Sequence, residues 1–269
     1  MIKLIAIDLD DTLLTDDKKI TESNKEALLY AREKGIKVVL CTGRPYLAMK
    51  DLVAEIGLTS EDDYIITYNG AQVRRAASGE VVVENILTKV DAVAWYDRLM
   101  AIDLPLDVID ARYVIEPKVY PTNYPSFYSE KVSNLETQTI DFTDLADDHP
   151  INKMVICIDP EHLDRQLPLL DPSFTSKYST FKSRTFLCEI VAKGVNKGNT
   201  LKRLGEELNI APAEMMTIGD QENDLTMIQL AGIGVAMGNA VTAVKEAADY
   251  ITADNNSSGV AQAIHHFLK

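Results

Sequence analysis

Leu4-Ile5-Ala6-Ile7-Asp8-Leu9-Asp10-Asp11-Thr12 decides how the rest of this chain is read, because four consecutive apolar residues run straight into three acids. An apolar run without polar alternation suits a strand buried on both faces, as in the parallel sheet of an α/β protein. Strand side chains repeat every two residues, so Asp8 and Asp10 project to one side while the chain stays extended. Two carboxylates converging there repel unless a cation lies between them. The C-terminal edge of a parallel sheet is also where open α/β folds bind ligands. A polar turn closing the strand, with Asp favoured for local hydrogen bonds, accounts for the same residues at this point.

Outward from that strand the pattern repeats. Thr21 is expected to cap a helix of about Glu22 to Lys34, closed by Gly35, and Ile36 to Cys41 reads as a second buried strand ending in Thr42-Gly43-Arg44-Pro45. Strand, helix, strand makes one βαβ unit with parallel strands, which brings Thr42 to the same sheet edge as Asp8. Gly43 lets backbone approach a ligand, and Pro45 is placed to start a helix running to about Ile56. A hydroxyl followed by free amides is a seat for an anion, and equally an ordinary strand-to-helix turn. Tyr64 to Tyr68 is a third strand. Turn signals at Asn69-Gly70 and Ser78-Gly79 then predict antiparallel strands through Val81-Val82-Val83, with Asn69 read as a turn residue near the site.

From residue 84 to 192 the regular spacing is lost. A helix near Lys89 to Met100, strands near Leu106–Ile109, Tyr113–Glu116, Lys153–Ile158 and Thr185–Val191, and a helix begun by Pro160 read as an α+β insert. It carries a Pro- and Tyr-rich segment from Pro117 to Tyr128. The doubly wound pattern resumes with a helix opened by Asn196-Lys197-Gly198. Lys197 stands in its first turn, where a cation opposes the helix dipole. Met215 to Ile218 is a further buried strand, and it too ends in acids, Gly219-Asp220-Gln221-Glu222-Asn223-Asp224.

Bulk composition narrows the function classes. The 269 residues suit one large domain or two modest ones, and 46% hydrophobic with 25% charged residues is ordinary for a globular protein. A formal net charge of −14 argues against a nucleic-acid partner and against anionic lipid. Neither a signal peptide nor a membrane-spanning run is expected, and the three cysteines read as buried free thiols, which points to the cytoplasm. The four histidines, next to no candidate ligand, are read as surface residues, so histidine-based hydrolysis is not expected.

DxDxT near the start, TG after the next strand, then Lys, then GDxxND is an ordered set, carried here by Asp8, Asp10, Thr12, Thr42, Gly43, Lys197, Asp220, Asn223 and Asp224. It resembles the haloacid dehalogenase (HAD) superfamily. The roughly 30 residues between Thr12 and Thr42 leave no room for an insert, while the roughly 155 between Thr42 and Lys197 hold one; this placement is similar to that of the Cof-type sugar-phosphate phosphatases. Asn69-Gly70-Ala71 and Glu189-Ile190 also look like that branch, whereas Asp11 stands where many members carry Gly.

The resemblance implies a mostly parallel, doubly wound Rossmann-like core over residues 1–83 and 193–269 with an α+β cap over 84–192. It implies a Mg²⁺-dependent phosphatase acting on small phosphorylated metabolites such as sugar phosphates. Asp8 would be nucleophile and metal ligand, Asp10 general acid/base and a ligand through its backbone carbonyl, and Asp220 the third ligand, with Asp224 orienting the metal site. Leu9, Thr42, Gly43, Lys197 and Asn223 would hold the transferring phosphoryl group, Lys197 counting also as catalytic. Arg44 and Glu189 are candidates for contact with the rest of the substrate. A phosphosugar mutase and a non-catalytic phospho-receiver are the rival readings.

Overall fold

A computed structural model describes residues 1–132 and 135–269, and the chain divides into two compact units, Met1–Glu84 with Asn196–Lys269, and Asn85–Val195. In chain order the larger unit opens with β1 (Leu4–Ile7), α1 (Glu22–Glu33), β2 (Lys37–Cys41), α2 (Lys50–Glu55), β3 (Tyr64–Thr67), β4 (Gln72–Arg75) and β5 (Val81–Glu84). The smaller unit holds α3 (Lys89–Met100), β6 (Asp107–Ile109), β7 (Tyr113–Glu116), α4 (Tyr128–Lys131), β8 (Glu136–Thr139), β9 (Lys153–Cys157), α5 (Pro160–Gln166), α6 (Pro172–Thr175), β10 (Tyr178–Arg184) and β11 (Leu187–Ala192). The larger unit then resumes with α7 (Lys197–Leu208), β12 (Met215–Gly219), α8 (Leu225–Leu230), β13 (Ile233–Ala236), α9 (Thr242–Ala247), β14 (Tyr250–Ile251) and α10 (Gly259–Phe267).

The larger sheet runs β14-β13-β12-β1-β2-β3-β4-β5, parallel as far as β3 and antiparallel from there to β5. All four residues of β1 are buried because both faces are covered. Ile5 and Ile7 pack into a core with Leu28 of α1 and Ile264 of α10, while Leu4 and Ala6 face Leu201 and Leu204 of α7. Each such aliphatic side chain contributes ~1.5–3 kcal/mol on removal from water. β12 and β2 flank β1, so the segments that follow Ile7, Cys41 and Gly219 emerge side by side.

Local signals hold at the helix ends. Thr21 accepts from the Asn24 amide, and Gly35 and Asn209 are left-handed (φ 79° and 56°). Other expectations need correction. The helix expected from Pro45 to Ile56 is broken: Pro45 stays extended, Tyr46–Ala48 forms one tight turn, and α2 begins only at Lys50. His162 is not a surface residue. It is buried, with Nε2 2.9 Å from the Asp103 carbonyl and its ring stacked on Tyr124. The three cysteines are free and buried.

The smaller sheet runs β10-β11-β9-β6-β7-β8. The strand expected at Thr185–Val191 is the second arm of a hairpin, β10 to β11, and β8 pairs parallel with β7. One face is apolar, with Val108, Ile115, Met154, Ile156 and Ile190 packed against Trp95 and Leu99 of α3. The register Asp107↔Val155↔Glu189 puts two acids on the other face, with Lys153 two residues from Val155. Asp107 there accepts from the Ser126 hydroxyl at 2.5 Å and from Tyr120.

Burial pushes the Asp107 carboxyl up to about 7, with the Ser126 and Tyr120 hydrogen bonds working against it. An unfolded Asp titrates near 4, so between pH 4 and 7 the unfolded chain loses its proton first, and stability falls as pH rises through that window. Asp107→Asn is expected to remove this slope, worth of the order of 2–4 kcal/mol across the window. Urea unfolding at pH 5 and pH 8, followed by the fluorescence of Trp95, the chain's single tryptophan and part of this core, measures it. An unchanged slope in the variant would assign the pH dependence elsewhere.

Candidate active site

Asp8 follows β1 directly, its amide still bonded to Ile218 O at 3.0 Å, so it stays in register beside the end of β12. The chain then turns through Leu9–Leu13, with Asp10 extended and Asp11 left-handed (φ 59°). Leu9 puts its side chain wholly in the apolar core, leaving only its backbone for the phosphate contact expected of it.

Beside Asp8, β12 delivers Asp220. Gly219 is required here because a Cβ would lie 2.6 Å from Asp224 Cβ. That closeness lets Asp224 fold back, where its Oδ2 accepts from the amides of Asp220 (2.9 Å) and Gln221 (3.0 Å). Asp8, Asp220 and Asp224, all buried, each present a carboxylate oxygen within 4.8 Å of the others. Thr12, in the sequence motif but given no role of its own, donates to Asp220 Oδ1 at 2.9 Å.

Lys197 enters from the first turn of α7. Its fully buried Nζ donates to Asp8 Oδ1 at 2.5 Å and to Asp224 Oδ1 at 2.6 Å. Asn196 caps the helix through the Asn199 amide, and Thr200 Oγ1 donates to Gly70 O at 2.8 Å, which anchors α7 to the loop after β3.

Burial and then the neighbouring Asp224 push Asp8 well above the carboxylate range, with Lys197 acting against them. The same two causes push Asp220 up to about 7. Lys197 moves up instead, because Asp224 and Asp8 outweigh its own burial. Three ionised carboxylates against one ammonium would leave two negative charges uncompensated, a deficit that a divalent cation could balance. Asp220 Oδ2 is buried without a hydrogen-bond partner among the described residues, so one oxygen of the cluster is left for a ligand other than protein. With only carboxylate oxygens on offer, the set fits a hard cation.

Asp10 is held apart from this cluster. Arg44 grips it with both arms, Nε to Oδ2 at 2.8 Å and Nη2 to Oδ1 at 2.7 Å, and Lys18 lies 3.2 Å from Oδ1. Burial alone would raise Asp10, but the hydrogen bonds and charge of Arg44, with Lys18, bring it down to about 2. The Arg44 contact was not legible in the sequence beyond proximity, and Lys18 carried no signal. Thr42 is buried, with its hydroxyl accepting from the Arg44 amide at 3.1 Å. Asn223 Nδ2 donates to Asn69 Oδ1 at 2.9 Å.

The structure thus brings Asp8, Lys197, Asp220 and Asp224 into direct contact and gathers Asp10 with Arg44. Glu189 belongs to the smaller unit. It is buried rather than on an open face, 2.8 Å from Lys153 Nζ and accepting from the Ser183 hydroxyl at 2.5 Å.

The haloacid dehalogenase-like hydrolase family model matches residues 5–264. YxeH of Bacillus subtilis (strain 168), provisionally named a phosphatase, is 38% identical over 268 residues, covering 100% of this chain and 99% of its own. The 5-amino-6-(5-phospho-D-ribitylamino)uracil phosphatase YcsE of the same organism is 34% identical over 269 residues, 99% of this chain and 96% of its own. Among solved structures, a HAD subclass IIB sugar phosphatase superposes with a TM-score of 0.78 at 25% identity, over 98% of each chain.

Proposed function

The chain belongs to the haloacid dehalogenase-like hydrolase family, and from that premise we propose that it is a Mg²⁺-dependent phosphatase of small phosphate monoesters, sugar phosphates foremost. Its class, a phosphoric monoester hydrolase, follows from its relatives. The observation that carries the finer reading is the contact of Asp8 with Lys197 beside the unpartnered Asp220 oxygen.

Asp8 is read as the nucleophile. Its carboxylate oxygen bonds to phosphorus as the ester P–O bond breaks, giving an aspartyl-phosphate. Lys197, with Thr42, the Gly43 and Leu9 backbone and Asn223, is read as holding the phosphoryl oxygens where charge accumulates. Mg²⁺, held by Asp8, Asp220 and the Asp10 carbonyl, would offset the repulsion between a phosphate dianion and Asp8. Asp224 has both oxygens engaged, by Lys197 and by two amides, which supports an orienting role for it.

Asp10 is assigned the proton traffic: it protonates the departing alkoxide and then takes the proton of the attacking water, whose oxygen displaces phosphate from Asp8. Held by Arg44 and Lys18 it is an ionised base. Burial acts in the opposite direction and would favour the acid that the first step needs if that grip were released. The sugar-phosphate preference is supported by the likeness to a sugar phosphatase, while YcsE is named for a different phosphorylated metabolite. Residues 84–192 are read as the substrate-selecting insert, and the three free thiols support a cytoplasmic setting.

The test is phosphate release from a panel of monoesters, including sugar phosphates and p-nitrophenyl phosphate, with millimolar Mg²⁺ or with EDTA. Release from several compounds is expected with Mg²⁺, and a fall of roughly 100-fold or more with EDTA. Turnover that EDTA leaves untouched would remove the metal from the mechanism.

A further inference from the structure

Resting on the phosphatase reading, we propose that Asn69 is a positioning residue that acts through Asn223, fixing its amide so that an N–H and not the C=O faces the phosphate. Asn69 reads in sequence as a turn former, and its conformation agrees: Tyr68 and Asn69 are both left-handed (φ 50° and 55°), and both are buried. Two successive non-glycine residues in that region are costly, so the surroundings impose the turn. Those surroundings are the candidate phosphate seat. The Asn69 amide donates to Thr42 O at 2.9 Å and the Tyr68 amide to Arg44 O at 3.3 Å.

The side chain goes further than a turn requires. Its amide lies against Gly43, where a Cβ would come within 2.9 Å of Asn69 Nδ2, and its Oδ1 accepts from Asn223 Nδ2. Gly43 follows β2 and Asn223 follows β12, the two strands flanking β1. One side chain therefore links the segments on either side of Asp8.

The chemistry at Asn223 makes that link consequential. A primary amide has two donor hydrogens at one end and only acceptor lone pairs at the other, whereas a phosphate dianion only accepts. Asn223 aids binding with its nitrogen forward and opposes it with its oxygen forward. Its Oδ1 has no hydrogen-bond partner among the described residues, so nothing holds the amide at that end. Asn69 Oδ1 takes one Nδ2 hydrogen and thereby leaves the second on the correct side for the phosphate.

Glycine adopts the left-handed region without cost, so Asn69→Gly keeps the turn and removes the side chain that makes the link. Two measurements are made on the wild type, Asn69→Gly, Asn223→Ala and the double variant: KM and kcat for p-nitrophenyl phosphate with Mg²⁺, and the rise in each protein's own melting temperature with inorganic phosphate. Asn69→Gly is expected to raise KM and the phosphate dissociation constant about tenfold with kcat within about threefold. In the double variant the losses do not multiply, and it binds phosphate within about twofold of Asn223→Ala alone. Wild-type phosphate binding in Asn69→Gly would overturn the proposal and leave Asn69 as a turn residue, as would multiplying losses in the double. If the wild type hydrolyses no monoester, the phosphatase reading fails by itself, and the phosphate-binding arm still decides the role of Asn69.

Discussion

Asp8→Asn leaves turnover reduced by about 10⁴–10⁶-fold and the metal-free protein more heat-stable than the wild type. The first half follows from the nucleophile: an amide of the same shape has no anionic oxygen to bond to phosphorus, and removal of a nucleophile costs on this order. The second half follows from the cluster. Burial and Asp224 push the Asp8 carboxyl well above its ordinary value, so in the absence of a cation its ionised form works against the fold. The sign is that of a raised acid: stability falls as pH climbs from the unfolded value near 4 through the raised value in the folded state, and a neutral Asn escapes that fall. Monoester assays and melting temperatures in EDTA at pH 5 and 8 measure the two halves. Turnover within tenfold of the wild type would strip Asp8 of its assigned role.

Lys197→Met has the opposite effect on stability. Its chain is of similar length and apolar, but it leaves Asp8 and Asp224 buried without the ammonium that lies 2.5 and 2.6 Å from them. Removing one partner of a buried ionic cluster costs about 3–5 kcal/mol, and the melting temperature in EDTA is expected to drop accordingly. Millimolar Mg²⁺ returns part of the loss, because a ligand that binds only the folded state stabilises it. Turnover falls by about 10²–10³-fold as the phosphoryl oxygens lose a preorganised cation. Combining the two substitutions is the sharper check. Asp8→Asn in the Lys197→Met background recovers stability, since one unpaired acid disappears. Equal melting temperatures for the single Lys197 variant and the wild type would contradict the electrostatic account.

What was legible in the sequence follows from how each feature is encoded. β1, β2 and β12 are buried on both faces, so each appears as an apolar run, and an acid at the end of such a run is conspicuous. Asp8, Asp220 and Asp224 could be read for that reason, and Lys197 because it opposes the dipole of its own helix. β8 is Glu-Thr-Gln-Thr with every residue exposed, and β10 is mostly half-buried on both faces, so neither has a periodicity to find. The same holds for the grip on Asp10. Arg44 and Lys18 reach it with long side chains, Lys18 from a left-handed turn position, and no spacing rule encodes where such chains end. The buried pairing of Glu189 was hidden because its partner Lys153 is 36 residues away, on a strand whose pairing with β11 is set only in the folded sheet. The unbroken helix expected after Pro45 failed at Met49, whose fully buried side chain anchors the chain in the core between two short helical pieces.

The larger unit is built from the two ends of the chain, whereas Asn85–Val195 is one uninterrupted stretch. During synthesis this sets an order of assembly. β1 can pair with β2 early, but its other neighbour begins only at Met215, after the whole of the smaller unit has left the ribosome. At ~5–20 residues per second, Asp8 and Asp10 therefore spend on the order of ten seconds or more in a sheet that lacks the strand carrying Asp220. An incomplete chain has no acid trio with which to collect a divalent ion, and the candidate centre comes into being only when the two ends meet.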